Sequence, residues 1–150
     1  MSDKIIVHGP LMKAHPYDAG WDILAKDGVS IAPGQTIMIA GGVVKDGEEK
    51  SLKLEIPSGT VGLVCSRSGL AAKNSIAVLN SPGVVDSGFD GVVNVILHNF
   101  HPTDTFEVTP EQRIAQLVFM DISSKEVVGD DLIIKYDDRG EGGFGSSGTH

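Results

Sequence analysis

Short apolar runs separated by turn residues recur along most of this chain, about every 8–12 residues, a spacing typical of a β-sandwich or barrel. Pro-Gly, Lys-Asp-Gly, Pro-Ser-Gly and Ser-Pro-Gly sequences provide the turns between them. The runs predicted to be strands are Ile5–Val7, Trp21–Ala25, Val29–Ile31, Thr36–Ile39, Leu52–Ile56, Val61–Cys65, Ile76–Leu79, Val92–His98, Thr105–Val108 and Ile114–Ile122. The pattern therefore predicts an all-β protein.

Three segments refine this prediction. Leu52–Ile56 alternates between apolar and charged residues, which indicates one solvent-facing side, whereas Val92–His98 is less regular and is expected to be more buried. Only Ser68–Lys73 is a candidate helix, and it is short. Residues Gly41–Lys50, rich in glycine and charge, are expected to form a longer exposed hairpin.

Composition indicates one ordinary folded domain. The chain has 150 residues with 41% hydrophobic content, and no apolar run approaches the roughly 20 residues needed to cross a bilayer. Met1-Ser-Asp-Lys leads directly into a strand-like run, so we expect no signal peptide. The one cysteine, Cys65, is expected to be buried and inert, which fits a cytoplasmic location.

The aromatic residues divide into two groups. Trp21, Phe100, Phe106 and Phe119 are expected to pack in the interior. Phe89 and Phe144 lie among glycines instead, where binding is an alternative to packing.

Charge narrows the classes of partner. The net charge of −8 argues against non-specific binding to nucleic acid and against anionic membranes. A phosphate ester would need positive charge concentrated locally, and arginine occurs only at positions 67, 113 and 139. Each arginine lies beside small or polar residues, so phosphate binding and ordinary surface ion pairing are both open from this pattern.

The last twelve residues, 139–150, contain five glycines, one aromatic ring and one guanidinium. Such a segment suits a nucleotide, because a ring can stack on a base and an arginine can bind phosphate, although a frayed terminus has the same composition. Gly140–Gly145 matches G-x-G-x-x-G, but too few residues follow it to open a helix, so we reject a Rossmann interpretation.

Five blocks occur in order along the chain: Asp18-Ala-Gly-Trp-Asp-Ile-Leu24, Ser66-Arg-Ser-Gly-Leu-Ala71, Gly83-Val-Val-Asp-Ser-Gly-Phe-Asp-Gly91, Arg113-Ile-Ala-Gln-Leu-Val118 and Arg139-Gly-Glu-Gly-Gly-Phe-Gly-Ser-Ser-Gly148. Together they resemble the trimeric dUTPase family over about residues 18–148. The resemblance implies a jelly-roll β fold (residues 1–138) with a flexible tail (139–150) that closes the active site. It also implies a homotrimer whose sites lie at subunit interfaces. The expected activity is Mg²⁺-assisted hydrolysis of dUTP to dUMP and pyrophosphate, which limits uracil in DNA and supplies the dTMP precursor.

The resemblance also assigns roles to individual residues. Asp86 matches the catalytic aspartate that deprotonates the water attacking the α-phosphorus, although Asp-Ser-Gly is also an ordinary turn. Arg67, Ser68, Gly69 and Gln116 match phosphate-binding positions, while Arg113 and Asp22 are expected to be chiefly structural. No protein side chain is expected to bind the magnesium directly, since the triphosphate and waters hold it.

Base and sugar contacts are expected on the third block. Asn80 and the backbone at Val84 and Val85 would read uracil, with a further contact at Asn94. Phe89, where the family usually has tyrosine, would pack against the deoxyribose and exclude a 2′-hydroxyl. In the tail, Arg139 would bind the γ-phosphate, Phe144 would stack on uracil, and Gly145 and Ser146 would donate backbone amides.

The chain departs from the family pattern at three further places. Ser66 replaces a common proline, Pro110-Glu-Gln precedes Arg113 where Gly-Asp is common, and the Gly41–Lys50 hairpin resembles an insertion. None of them removes a catalytic group.

Three alternatives remain at this stage. A dCTP deaminase shares the fold, but its catalytic glutamate would fall at Ile96, which cannot transfer a proton. A dUTPase-like regulatory protein with a protein partner is the second, and intact Asp86, Arg139 and Phe144 argue against a dead site. A β domain without a small-molecule site leaves the five blocks unexplained.

Overall fold

A computed structural model describes residues 3–135, and all structural statements below concern that part of the chain. It contains thirteen strands and one helix. The strands are β1 (Ile6–His8), β2 (Gly20–Leu24), β3 (Val29–Ile31), β4 (Thr36–Ala40), β5 (Gly42–Lys45), β6 (Glu48–Ser51), β7 (Lys53–Glu55), β8 (Thr60–Cys65), β9 (Ile76–Val78), β10 (Gly83–Val85), β11 (Asn94–Asn99), β12 (Phe106–Val108) and β13 (Arg113–Asp121), and the helix is α1 (Ser68–Asn74). The predicted all-β jelly-roll class with one short helix is confirmed.

Two larger sheets carry most of the strands. The first has the order β10-β8-β13-β2 and the second the order β4-β11-β9, while β1-β7, β12-β3 and β5-β6 form two-stranded sheets. All the strand pairs within the described residues are antiparallel. Consecutive strands therefore often belong to different sheets, as in a jelly roll.

Aliphatic side chains from most of the strands meet in one core. Ile23, Ile31, Leu52, Leu97 and Leu117 are fully buried there. Trp21, Phe106 and Phe119 pack against this core, as predicted, but Phe100 is 57% exposed and its predicted interior position is wrong. Phe100 instead lies against the imidazole of His98, with ring centroids 4.2 Å apart.

Strand β13 contains an irregularity that matters for the site. Its register shifts between Arg113 and Ala115, and the consecutive residues Ile114 and Ala115 are both buried. Such an extra residue, a β-bulge, bends the strand locally and changes the direction of the side chains beside it. The bulge leaves Arg113 on the solvent side, at the edge of the cavity described below.

Several predicted segments are confirmed and others are corrected. The hairpin predicted at Gly41–Lys50 is present as β5 and β6, and Leu52–Ile56 alternates between buried and more exposed residues. Half-buried and fully buried residues alternate along β11, so this strand is more regular than was predicted for Val92–His98. Cys65 is half-buried rather than buried, since its strand turns this residue away from the core. Strand β10 was not predicted as a strand.

No helix within residues 3–135 is both long and apolar enough to cross a membrane.

Candidate active site

A polar cavity of about 330 Å³ lies where β2, β13 and the start of α1 meet. Arg67, Ser68, Gly69 and Gln116, the described residues predicted to bind phosphate, all line it, and so does Arg113. Ser68 and Gly69 are exposed and begin α1, where first-turn backbone N–H groups have no acceptor within the helix. The cavity therefore offers two guanidinium groups, a hydroxyl, an amide and backbone donors to one anion.

Asp22 organises the two arginines. One carboxylate oxygen lies 3.3 Å from Arg67 Nε, and the other lies 3.5 Å from Arg113 Nη1. Arg67 also donates a hydrogen bond from Nη1 to the carbonyl oxygen of Arg113, at 3.2 Å. The Asp22 side chain is only 16% exposed. These contacts agree with the structural role predicted for Asp22 and Arg113.

Gln116 faces the same cavity from β13. Its side-chain Nε2 donates a hydrogen bond to the carbonyl oxygen of Ser66, at 3.0 Å. A Cβ atom at Gly20 would collide with the amide oxygen of Gln116. Gly20 thus leaves the space in which the Gln116 side chain lies.

The residues predicted to read the base lie on and around β10. Val84 is 62% exposed, while Val85 is buried. Strand β10 pairs with β8 on one side only and is an edge of its sheet within the described residues, so its outer backbone groups face away from any strand partner. A Cβ atom at Gly83 would lie 3.2 Å from Nδ2 of Asn80, which places the amide of Asn80 beside the start of this strand.

Two further residues were predicted for the site. Asn94 is half-buried and opens β11, where it pairs with Ala40. Asp86 is exposed and directly follows β10, and its carbonyl oxygen accepts a hydrogen bond from the Phe89 N–H, at 3.1 Å. Asp86 is therefore also the turn residue that the Asp-Ser-Gly sequence predicts.

Phe89 lies in a different environment from the phosphate residues. Its ring is half-buried and packs against the core. It lines a second cavity of about 350 Å³ together with Ser87, Gly88, Asp90 and residues of β1 and β7. Phe89 and the phosphate-binding residues thus line separate cavities in a single chain.

Strand pairing separates Asp86 from the phosphate cavity of its own chain. Gly83 pairs with Val64 and Val85 with Gly62, so Asp86 lies near the beginning of β8 while Arg67 follows its end. The stretch from Val61 to Arg67 spans about 15–20 Å at roughly 3.3 Å per residue. Asp86 and Arg67 therefore lie towards opposite ends of the paired strands β8 and β10.

Comparison with known proteins identifies the family. The dUTPase family model matches residues 10–148. The chain is 39% identical over 140 residues to the deoxyuridine 5'-triphosphate nucleotidohydrolase of Rhodococcus erythropolis, covering 92% of this chain and 78% of that protein. It is 38% identical over 142 residues to the Mycobacterium leprae protein of the same name, covering 92% and 86%. This chain belongs to the dUTPase family.

Solved dUTPase structures have the same fold. The Staphylococcus bacteriophage 80alpha dUTPase, solved with dUpNHpp, superposes with a TM-score of 0.73 at 25% identity, covering 99% of this chain and all of that one. The EIAV dUTPase gives a TM-score of 0.69 at 21% identity, covering 85% and 97%. The predicted family is thus confirmed over the deaminase alternative, and the chain is an enzyme, a dUTP diphosphatase by family.

Some expectations for a dUTPase lie outside the described residues. These are the tail residues Arg139, Phe144, Gly145 and Ser146, together with the predicted boundary between residues 138 and 139. Conversely, Asp18 and Gly20 line the phosphate cavity but were not assigned to the site. Both belong to the first sequence block, so the resemblance to the family could have indicated them.

The donor set of the cavity fits a phosphate anion rather than a protein-held metal. Within residues 3–135, no group of three or more His, Cys, Asp and Glu side chains is arranged to hold a metal ion. Asp22 is already paired with two arginines. Magnesium usually keeps several waters and takes substrate phosphate oxygens, so the cavity fits a triphosphate that brings its own Mg²⁺.

Proposed function

We propose that this dUTPase cleaves dUTP between the α- and β-phosphates, using a water activated by Asp86, in sites that each combine two or more copies of the chain in a homotrimer. The observation that carries the proposal is the cavity in which Arg67, Ser68, Gly69 and Gln116 converge. These residues come from two separate sequence blocks, and the fold brings them to one place with the donors that a triphosphate needs.

Assembly follows from the geometry of β8 and β10. Along β10 the base-reading residues come first and Asp86 comes last, at the end remote from Arg67 of the same chain. The phosphates of a bound dUTP would extend beyond Asp86, so phosphate-binding residues there have to come from another copy. A closed symmetric trimer supplies such a contact three times with one kind of interface.

Uracil selection rests on the edge of β10. An edge strand offers backbone N–H and C=O groups that match the imide edge of uracil, and Asn80 adds an amide with both a donor and an acceptor. Backbone at Val84 and Val85 would lie close to the base, which leaves no room for the methyl group of thymine. Asn94 contributes a further contact from the start of β11.

The chemical step is an in-line displacement at the α-phosphorus. Asp86 accepts a proton from water as the water oxygen forms its bond to the α-phosphorus, and the bond from that phosphorus to the bridging oxygen breaks. The bond electrons leave with pyrophosphate, and dUMP remains. Mg²⁺ bound to the triphosphate supplies charge neutralisation for the leaving group. Arg67, Ser68, Gly69 and Gln116 orient the phosphates.

Sugar selection and closure complete the proposal. Phe89 packs against the deoxyribose and excludes ribonucleotides. Residues 139–150 close over the nucleotide, with Arg139 on the γ-phosphate, Phe144 on the uracil ring, and amides of Gly145 and Ser146 on the phosphates. The homologous block matched by the family model extends to residue 148, which supports a functional tail.

The test is turnover of dUTP, dCTP, dTTP and UTP with Mg²⁺, following pyrophosphate and the nucleotide products. We expect pyrophosphate and dUMP from dUTP alone. Asp86→Asn should bind dUTP but lose about 10²–10⁴-fold in kcat, the usual contribution of a general base. Asp121→Asn is the control, since Asp121 is an exposed aspartate at the far end of β13 and lines neither cavity.

Near-normal turnover by Asp86→Asn would contradict its role as the base. Deoxyuridine products from dCTP would favour the deaminase function instead. Tight dUTP binding without any turnover by the unmodified protein would favour the regulatory alternative.

A further inference from the structure

Ser66 is bonded through all three of its polar groups. Its hydroxyl accepts a hydrogen bond from the Val78 N–H, at 2.8 Å. Its own N–H donates to the hydroxyl of Ser81, at 3.4 Å, and its carbonyl oxygen accepts from Nε2 of Gln116, at 3.0 Å. Ser66 is half-buried and lies between the end of β8 and the start of α1.

These bonds join the phosphate-binding segment to the base-reading loop of the same chain, which in the proposed trimer serve two neighbouring sites. Arg67, Ser68 and Gly69 directly follow Ser66, and Gln116 lines the same phosphate cavity. Val78 is the last residue of β9, and Ser81 lies with Asn80 in the loop that connects β9 to β10 and leads into the base-reading strand. Ser66 therefore links the phosphate-binding residues to the loop that presents Asn80.

The bond to Val78 has a specific structural reason. Strand β9 is an edge strand of its sheet within the described residues, and it pairs with β11 on its other side. Val78 itself is 3% exposed, so its N–H needs an acceptor inside the protein. The hydroxyl of Ser66 provides this acceptor and fixes the end of β9 just before the loop begins.

Only some residues at position 66 could make these bonds. Proline has neither an N–H nor a hydroxyl, so it would keep only the carbonyl contact with Gln116. Alanine would keep the N–H and the carbonyl but lose the bond to Val78. Threonine would keep all three groups.

We propose that Ser66 is a positioning residue for base selection: it holds the Asn80 loop in place against the phosphate-binding block, so that uracil is distinguished from thymine. The inference rests on the proposed function, because it assumes that Asn80 and β10 read the base. Ser66 itself does not line the phosphate cavity.

The experiment compares kcat/KM for dUTP and dTTP in the unmodified protein and in Ser66→Ala, Ser66→Pro, Ser66→Thr and Ser81→Ala. Ser66→Ala and Ser81→Ala should each lower the dUTP-to-dTTP ratio by up to about tenfold, the effect of one hydrogen bond. Ser66→Pro should lower it further, and Ser66→Thr should preserve it. Ser124→Ala is the control, since Ser124 is an exposed serine that follows β13 and lines neither cavity.

A second measurement separates positioning from a general structural defect. Inorganic triphosphate occupies only the phosphate half, so its dissociation constant should be unchanged in Ser66→Ala. If Ser66→Ala does not fold, Ser81→Ala still tests the loop, because Ser81 is exposed.

An unchanged dUTP-to-dTTP ratio in folded Ser66→Ala and Ser81→Ala would overturn the inference. An equal fractional loss of kcat/KM for both nucleotides is one form of this result, and it is the signature of a purely structural role. Failure of the unmodified protein to hydrolyse dUTP would contradict the proposed function instead, and the two failures are therefore distinguishable.

Discussion

Removing the Asp22 carboxylate tests how the phosphate cavity is held together. In Asp22→Ala, Arg67 and Arg113 lose the group that lies 3.3 and 3.5 Å from them and keep their two positive charges close together. Asp22 is 16% exposed and Arg67 30%, so their contact is partly desolvated, whereas Arg113 is 46% exposed and its contact is screened by solvent.

The expected loss of stability can be worked out from these contacts. Both distances exceed the 2.7–2.9 Å typical of strong charge-assisted bonds. We assign about 1.5 kcal/mol to the Arg67 contact, the low end for hydrogen bonds to charged groups. The exposed Arg113 contact adds about 0.5 kcal/mol, as surface ion pairs do. The total of about 2 kcal/mol corresponds to a fall in Tm of roughly 4–8 °C for a chain of this length.

The assay is thermal unfolding at equal protein concentration, because assembly makes Tm depend on concentration. Asp121→Ala is the control, since Asp121 is exposed at the far end of β13. Inorganic triphosphate should raise the Tm of Asp22→Ala more than that of the unmodified protein, because the anion replaces the missing negative charge. A Tm that is unchanged or raised in Asp22→Ala without any anion would refute the reasoning.

Three further variants test other parts of the account. Deleting residues 139–150 should leave a folded trimer by size-exclusion chromatography with hydrolysis reduced by at least about a hundredfold, as loss of a γ-phosphate arginine implies; unchanged kinetics would contradict tail closure. Phe89→Ala should reduce discrimination between dUTP and UTP, measured as the ratio of kcat/KM values, and intact selectivity would show that the ring does not pack on the sugar. Asn99→Ala should lower the free energy of urea unfolding by about 3–5 kcal/mol. Asn99 is fully buried and bonds through its side chain to the backbone of Ile31, His101 and Asp104; a loss below about 1 kcal/mol would mean that water replaces these bonds.

The strands could be predicted where a buried side alternates with a more exposed one or where turn residues bound an apolar run. Leu52–Ile56 and Val29–Ile31 are examples, and Val29–Ile31 has the same bounds in the structure. Strand β10 was missed because Ser81-Pro82-Gly83 indicates a turn and only three residues pair after it. Exposure of Phe100 depends on which side of β11 meets the core, and the position of a phenylalanine in the sequence does not determine that.

The site was predictable in part. Matching blocks to a family indicated which residues would gather around phosphate, and Arg67, Ser68, Gly69 and Gln116 do line one cavity. The distance between Asp86 and that cavity was not predictable, because it depends on the antiparallel register of β8 and β10. The hydrogen bonds of Ser66 were not predictable either, because Val78, Ser81 and Gln116 approach it only in the folded chain.

The central claim is that a single chain cannot form a complete site, and mixed assemblies test it most directly. Asp86→Asn and Arg67→Gln are each expected to be inactive alone. Co-expressed with different affinity tags and purified through both, they should form mixed trimers in which an intact Asp86 from one copy meets an intact Arg67 from its neighbour. A closed ring that holds both variants has two copies of one and one copy of the other. In either case this combination occurs at one of the three interfaces, so about a third of the sites should be restored. Activity approaching that fraction would support a shared site, whereas mixed assemblies no more active than either parent would contradict it.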